Sequence, residues 1–279
     1  MKSLQEKKAQ AGMEKLSAVV FDWAGTVMDF GSFAPMGVFV EAFRQFGVDA
    51  SIAEAREPMG RPKWDHIDAM LKIPRIREAW TARHGRQPQP ADVDDIYRVF
   101  VPMNEEVVHR YANLIPGARE TAQALRARGL KIGSTTGYTR SIMARVLPLA
   151  KEQGYEVDNL VCAGDLPEGR PTPMNMYKCF LDLGVWPAHA VVKVDDTGVG
   201  IEEGARAGCW TVGVALSGNE AGLTADEVRQ ADPAALDAVR RRAALALQAH
   251  GAHYVIDTVA DLMPVIDDIE RKLAQGLRP

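Results

Sequence analysis

Short apolar runs of strand length, most of them handed on to a helical segment, set the rhythm of this 279-residue chain. Leu16 to Val20, Leu130 to Thr136, Asn159 to Ala163, Ala190 to Val194, Trp210 to Ala215 and His253 to Ile256 read as strands. Strands that alternate with helices form repeated β-α units, and the crossovers lay the strands parallel. The rhythm breaks once. From Gly47 to about Tyr111 no strand with β-branched alternation appears. Val38, Phe39, Ala42, Phe43 and Phe46 recur at helical spacing up to Gly47. Pro58, Gly60 and Pro62, then Pro74, then Arg86 to Pro90 divide the rest of this stretch into short helices. The fold class is therefore α/β: a doubly wound parallel-sheet (Rossmann-like) core with a helical cap inserted after the first strand. Residues 14–30 and 112–279 are assigned to the core and 31–111 to the cap. Pro116-Gly117 opens a helix ending at Gly129, Thr224-Ala-Asp-Glu227 has the form of a capping box, and Pro233 to Ala249 that of a surface helix.

Composition narrows the classes of function. With 33 Lys+Arg against 37 Asp+Glu the net charge is −4, and the only run of like charge is Arg240-Arg241-Arg242 on the Ala-rich helix. That argues against nucleic acid and anionic membrane as partners. Cys162, Cys179 and Cys209 are odd in number, widely spaced and form no C-x-x-C pair, which speaks against a disulfide framework or a zinc site and for a reducing compartment. Met1 to Lys15 is polar and the first apolar stretch is only strand length, so the expectation is a cytoplasmic protein without a signal segment or membrane span.

Four places could hold chemistry. The first is Phe21-Asp22-Trp23-Ala24-Gly25-Thr26, where a buried strand delivers a carboxylate just before a glycine turn. Open α/β sheets carry their reacting groups at such ends. The second, Ser134-Thr135-Thr136-Gly137-Tyr138, follows a strand and precedes the helical segment Ser141 to Leu149. Hydroxyls and amides at a helix N-terminus make either a phosphate seat or an ordinary cap. Third is Gly169-Arg170-Pro171-Thr172-Pro173, a Pro-rich loop with one cation. In the fourth, Val191 to Thr197, Asp195 and Asp196 stand where a buried strand runs out. Paired carboxylates there are costly unless a cation or hydrogen bonds compensate them, so a metal is the economical explanation.

In order and placement these four segments resemble the motifs of the haloacid dehalogenase superfamily. The resemblance implies that Asp22 attacks phosphorus, that Thr136 and Gly137 bind the phosphoryl group, and that Arg170 fills the place of the usual lysine. It also implies magnesium on Asp22, the backbone carbonyl of Ala24 and Asp196. Two departures stand out. Where the superfamily's phosphatases carry a second Asp as acid/base, this chain has Ala24, which has no proton to give. Many relatives have an Asp four residues beyond Asp196; here it is Gly200, and Asp195 is the nearest carboxylate to take that place or to support the ligands.

The insert offers the missing chemistry. In Glu57-Pro58-Met59-Gly60-Arg61-Pro62-Lys63-Trp64-Asp65-His66, Pro62 suits the first helical position and puts Lys63 in the first turn. The helix dipole, Arg61 and cover by the cap would each lower the Lys63 pKa. An unperturbed lysine is a free amine only to about 4 parts in 10⁴ at pH 7, so such a shift matters. His66 comes three residues on and could relay protons. The segment Met59-Gly60-x-x-Lys63-x-Asp65-His66, with Asp-Trp-Ala-Gly-Thr, Phe33-Ala34-Pro35, Gly133 to Arg140, Gly169-Arg170-Pro171 and Ala207 to Val214, closely resembles the phosphonoacetaldehyde hydrolase (phosphonatase) family. The resemblance implies a Schiff base between Lys63 and the substrate aldehyde, and P–C cleavage of phosphonoacetaldehyde to acetaldehyde and phosphate in 2-aminoethylphosphonate degradation. It further implies a small phosphonate as ligand and a homodimer, with the helix near Phe33 to Phe46 either at the interface or in the cap's own core. The rivals are a phosphatase or phosphomutase, a hydrolytic dehalogenase and a non-catalytic phosphate-binding protein.

Overall fold

The computed structural model describes residues 15–279. The polar opening segment up to Glu14, with the first residue assigned to the core, lies outside the described residues. Six strands form one sheet in the order β3-β2-β1-β4-β5-β6: β1 Ala18–Phe21, β2 Lys131–Thr139, β3 Val161–Ala163, β4 Val191–Asp195, β5 Trp210–Val214 and β6 Tyr254–Ile256. Every pairing is parallel. The chain winds outwards from β1 through β2 to β3, crosses back, and winds outwards again from β4 to β6. At such a reversal a crevice opens beyond the carboxyl ends of the strands.

Register decides what stands in that crevice. Phe21 is level with Ser134 on one side and Val194 on the other, and the Asp22 amide donates to the Val194 carbonyl at 3.0 Å. The next residue of each strand, Asp22, Thr135 and Asp195, therefore arrives side by side. Along β1 the residues alternate between two clusters. Val19 and Phe21 pack with Ile132, Val192 and Val212 on one face, and Ala18 and Val20 with Met176, Cys179 and Val191 on the other. Burial on both faces is why these strands read as continuous apolar runs.

Between β1 and β2 come α1 Ala34–Gln45, α2 Ile52–Arg56, α3 Lys63–Lys72, α4 Pro74–His84 and α5 Pro90–Val107. They bury a cluster of their own around Phe39, Phe43, Ile67, Met70, Trp80, Ile96 and Phe100. The apolar stripe of α1, Val38, Phe39, Ala42 and Phe43, lies inside that cluster. The sheet helices are α6 Ala118–Ala127, α7 Arg140–Glu152, α8 Met174–Leu183, α9 Gly198–Arg206, α10 Ala225–Gln230, α11 Pro233–Ala249 and α12 Leu262–Ala274. Thr224 and Glu227 form the reciprocal capping box at α10. The basic run on α11 faces acceptors: Arg240 pairs with Asp257, Arg241 with Asp237, and Arg242 reaches the Glu220 carbonyl. All three cysteines are free and buried.

Candidate active site

Asp22 emerges from β1 almost enclosed, and its Oδ1 lies 2.9 Å from Nη1 of Arg170. Burial first, and the neighbouring Asp195 charge second, push the Asp22 carboxyl up to about 6, against the pull of Arg170 and Lys193. Arg170 reaches in from the loop before α8. Its Nη2 donates to Thr135 O at 2.6 Å and Thr135 Oγ1 at 2.8 Å, and its Nε to Glu203 Oε2 at 3.1 Å. Burial would lower its pKa, but Glu203, Asp195 and Asp22 together raise it, so the guanidinium is fixed in charge as well as in place. Lys193, in the middle of β4 and fully buried, completes the framework with contacts to Thr135 Oγ1 at 2.7 Å, Asp195 Oδ2 at 3.0 Å and Glu203 Oε2 at 3.4 Å.

Asp22, Asp195 and Asp196 each offer an oxygen, and these oxygens lie within 4.8 Å of one another. Asp196 accepts from Thr26 Oγ1 at 3.1 Å and from the Asn219 amide at 2.8 Å. Burial, then the charges of Asp22 and Asp195, push its carboxyl well above the ordinary range. Asp195 differs. Burial would raise it, but Lys193 and Arg170 outweigh that and hold it below the usual value. Its Oδ2 lies 3.0 Å from Lys193 Nζ and 3.3 Å from Arg170 Nη2. Four buried carboxylates, Asp22, Asp195, Asp196 and Glu203, thus face two buried basic side chains, Arg170 and Lys193. An all-oxygen donor set with an excess of negative charge suits a small hard divalent cation. The cluster can hold a metal.

Gly200 explains why no carboxylate reaches the metal cluster from position 200 of α9. A Cβ there would lie 2.0 to 2.3 Å from the Asp195 carboxyl atoms. The Asp195 side chain, which accepts from Thr197 N and Oγ1, already fills the space an Asp at position 200 would use.

From the insert, Lys63 comes down over Asp22. It stands at the start of α3 behind Pro62, which is the N-cap rather than the first helical residue. Only 3 % exposed, it packs between aromatic faces, its Nζ 5.6 Å from the Phe39 ring centre and 5.2 Å from that of Tyr138. Nζ makes no hydrogen bond or ion pair among the described residues. Burial lowers its pKa to about 8; Asp22 opposes this and Arg170 adds to it. Arg170, not the expected Arg61, is the like charge that counts. Lys63, Asp22, Ala24, Thr136, Gly137 and Arg170 line one small cavity of about 20 Å³ together with Ser32, Met59 and Tyr138.

Other placements differ from expectation. β2 continues to Thr139, which caps α7 by accepting from Ile142 N, so Thr136 lies three residues short of that helix and is not at its N-terminus. Its hydroxyl accepts from Tyr138 N at 3.1 Å. His66 does not line the cavity. It is fully buried, stacked on Phe39 with ring centres 3.9 Å apart, and bonds Ala55 O through Nε2 at 2.9 Å. Burial pushes its pKa well below the usual value, and Nδ1 has no partner. Sequence reasoning missed Lys193, Glu203 and Tyr138. A lysine inside the apolar run Val191 to Val194 was a usable signal, because a buried ammonium requires acceptors. Glu203 gave none beyond its place on α9.

The family described as haloacid dehalogenase-like hydrolase matches residues 16–208. The chain is 53% identical over 267 residues to the phosphonoacetaldehyde hydrolase of Paraburkholderia phytofirmans, covering 96% of this chain and 100% of the relative. With that of Paraburkholderia xenovorans it shares 54% over 268 residues, at the same coverage. A solved phosphonoacetaldehyde hydrolase-like protein from Oleispira antarctica superposes with a TM-score of 0.93 at 45% identity, over 95% of this chain and 96% of that one. The likeness spans insert and core alike, and the chain accordingly belongs to the phosphonoacetaldehyde hydrolase family of haloacid dehalogenase-like enzymes.

Proposed function

We propose that this enzyme hydrolyses the P–C bond of phosphonoacetaldehyde, giving acetaldehyde and phosphate, through a Schiff base at Lys63 and an aspartyl phosphate at Asp22. One observation carries the reading: a buried, unpaired lysine with its pKa drawn down to about 8 shares a small cavity with the Asp22 carboxylate. The neutral amine adds to the aldehyde carbon and water leaves, forming an iminium next to the phosphorus-bearing carbon. Asp22 then attacks phosphorus. The P–C electron pair moves into the iminium, so the carbon departs as an enamine instead of a carbanion. Protonation at carbon and hydrolysis of the imine release acetaldehyde and restore Lys63, and water cleaves the aspartyl phosphate. The balance is one water consumed.

No step requires an acid at position 24, which accounts for Ala24. Arg170 holds Asp22 Oδ1 and would orient the phosphoryl oxygens, with Thr136 and Gly137 lining the same cavity. Asp22, the Ala24 carbonyl and Asp196 would hold magnesium, with Asp195 behind them tied to Lys193; when bound, the ion offsets negative charge on the phosphoryl group. A proton relay through His66 would have to use its unpartnered Nδ1. We place the reaction in cytoplasmic 2-aminoethylphosphonate degradation by a homodimer, with a small phosphonate and neither nucleic acid nor membrane as partner. In support, no helix among the described residues is long and apolar enough to cross a membrane. A dimer contact must use a surface other than the buried stripe of α1.

Borohydride tests the reading. With phosphonoacetaldehyde present it should inactivate the enzyme and leave a two-carbon adduct on Lys63 in a peptide mass map. Lys63→Arg should abolish P–C cleavage, because guanidinium stays protonated and forms no imine. An unmarked Lys63 together with full activity of Lys63→Arg sinks the mechanism.

A further inference from the structure

Arg56, at the end of α2, is a half-buried cation with no carboxylate within ion-pair distance among the described residues; the charges of Asp29, Asp196 and Glu220 act on it only from further off. Its Nη1 donates to Gly31 O at 2.8 Å and Asn219 Oδ1 at 3.2 Å, its guanidinium lies 4.8 Å over the Phe33 ring, and Nη2 is buried without a partner. Neutral carbonyls compensate a desolvated guanidinium less well than a carboxylate does, so stability alone is a poor account of this arrangement. What the side chain joins is more telling. Gly31 lies on the crossing from core to insert. Asn219 belongs to the core turn whose amide holds Asp196 Oδ2 at 2.8 Å. The Arg56 carbonyl accepts from Met59 N at 3.1 Å and from Asn219 Nδ2 at 3.4 Å, and the turn it begins leads through Gly60 to Lys63. One residue thus ties the turn that leads to Lys63 to the turn whose amide holds Asp196.

We propose that Arg56 is a positioning residue: by bridging Gly31 and Asn219 it fixes the insert in the closed register that sets Lys63 over Asp22. The inference rests on the reading of Lys63 above. Its test compares Arg56→Ala, Arg56→Lys, Asn219→Ala and the double alanine variant. Asn219→Ala keeps the backbone donor to Asp196 and removes both side-chain contacts with Arg56, the acceptor for Nη1 and the donor to its carbonyl, so it carries the test if Arg56→Ala does not fold. The rate of reductive trapping of Lys63 should fall about tenfold or more in each single variant, the size expected for hydrogen bonds to a charged group. The double variant should be no worse than the single ones, because the pair acts as a unit. Magnesium affinity, read by calorimetry without substrate, should stay within about threefold, since Thr26 and the Asn219 amide still hold Asp196. Amides of residues 217–222 should exchange faster with solvent in Arg56→Ala.

Full recovery of trapping by Arg56→Lys would show that charge alone matters and overturn the proposal, as would additive effects in the double variant or a parallel loss of magnesium affinity. If the wild-type enzyme gives no adduct on Lys63, the imine reading fails by itself. Hydrogen exchange then judges Arg56 separately, and unchanged exchange at residues 217–222 overturns its role.

Discussion

At the residue scale, Lys63 connects burial to reactivity. An amine whose pKa is about 8 is roughly one-tenth neutral at pH 7, some two orders of magnitude more than an ordinary lysine. The rate of imine formation should therefore rise about tenfold from pH 6 to 7 and level off above pH 8. Trapping in a pH-jump experiment reads this directly, and a rate still climbing tenfold per pH unit at pH 9 would refute the lowered pKa. Stability carries the same shift with a defined sign. The folded-state pKa of about 8 lies below the ordinary 10.5, so between those values the unfolded chain binds the extra proton and stability rises with pH. Below pH 8 the burial penalty is present in full, about 3 kcal/mol by the size of the shift. Lys63→Met should consequently be more stable than wild type at pH 6 to 7 in urea unfolding, with the difference shrinking towards pH 10. The sequence showed that this lysine starts a helix beside a glycine turn. It did not show that burial would dominate, because the Phe39 and Tyr138 faces that enclose Nζ come from distant segments.

At the scale of elements, β4 and α9 form the unit that manages charge. Lys193 from the strand and Glu203 from the helix bracket Arg170, while Asp195 and Asp196 turn towards Asp22. The buried excess of negative charge predicts a large magnesium effect on folding. At a hundredfold excess over the dissociation constant, binding to the native state alone contributes about 2.7 kcal/mol. Denaturant unfolding with and without magnesium should show a gain of this order for wild type and none for Asp196→Ala; an equal gain in both would remove Asp196 from the site. The elements themselves were largely legible, because strands buried on both faces appear as apolar runs bounded by turns. The end of β2 was not. Ser134 to Thr139 is polar, and what keeps it extended is pairing of Thr139 with Ala163 of β3, a tertiary contact that no local pattern records. The same limit hid Glu203, whose partners Thr135, Arg170 and Asn175 lie on separate segments.

At the scale of the whole molecule, the proposed mechanism needs two separately packed cores to meet. Insert and core each bury their own cluster, and Lys63 and Asp22 come from opposite sides of the boundary. The seat is close. A Cβ on Gly137 would stand 2.9 Å from the Arg61 carbonyl oxygen, and one on Gly169 would stand 2.7 Å from Cγ of Pro62, the residue that caps the Lys63 helix. Atoms cannot approach so closely without displacement, and a proline ring cannot swing aside as a flexible side chain would. Gly169→Ala should therefore push the insert off its seat, raising KM and lowering kcat for phosphonoacetaldehyde while magnesium still binds. Because Gly169 also adjoins Arg170, the variant alone is ambiguous. Pro62→Ala resolves it: this change removes Cγ and Cδ, leaving Cβ at 4.0 Å, an ordinary contact. The double variant should recover most of the lost rate, a strong non-additivity that only a steric cause produces. If Pro62→Ala restores nothing, Gly169 acts through the Arg170 loop and the tight seat does not control the meeting of Lys63 with Asp22.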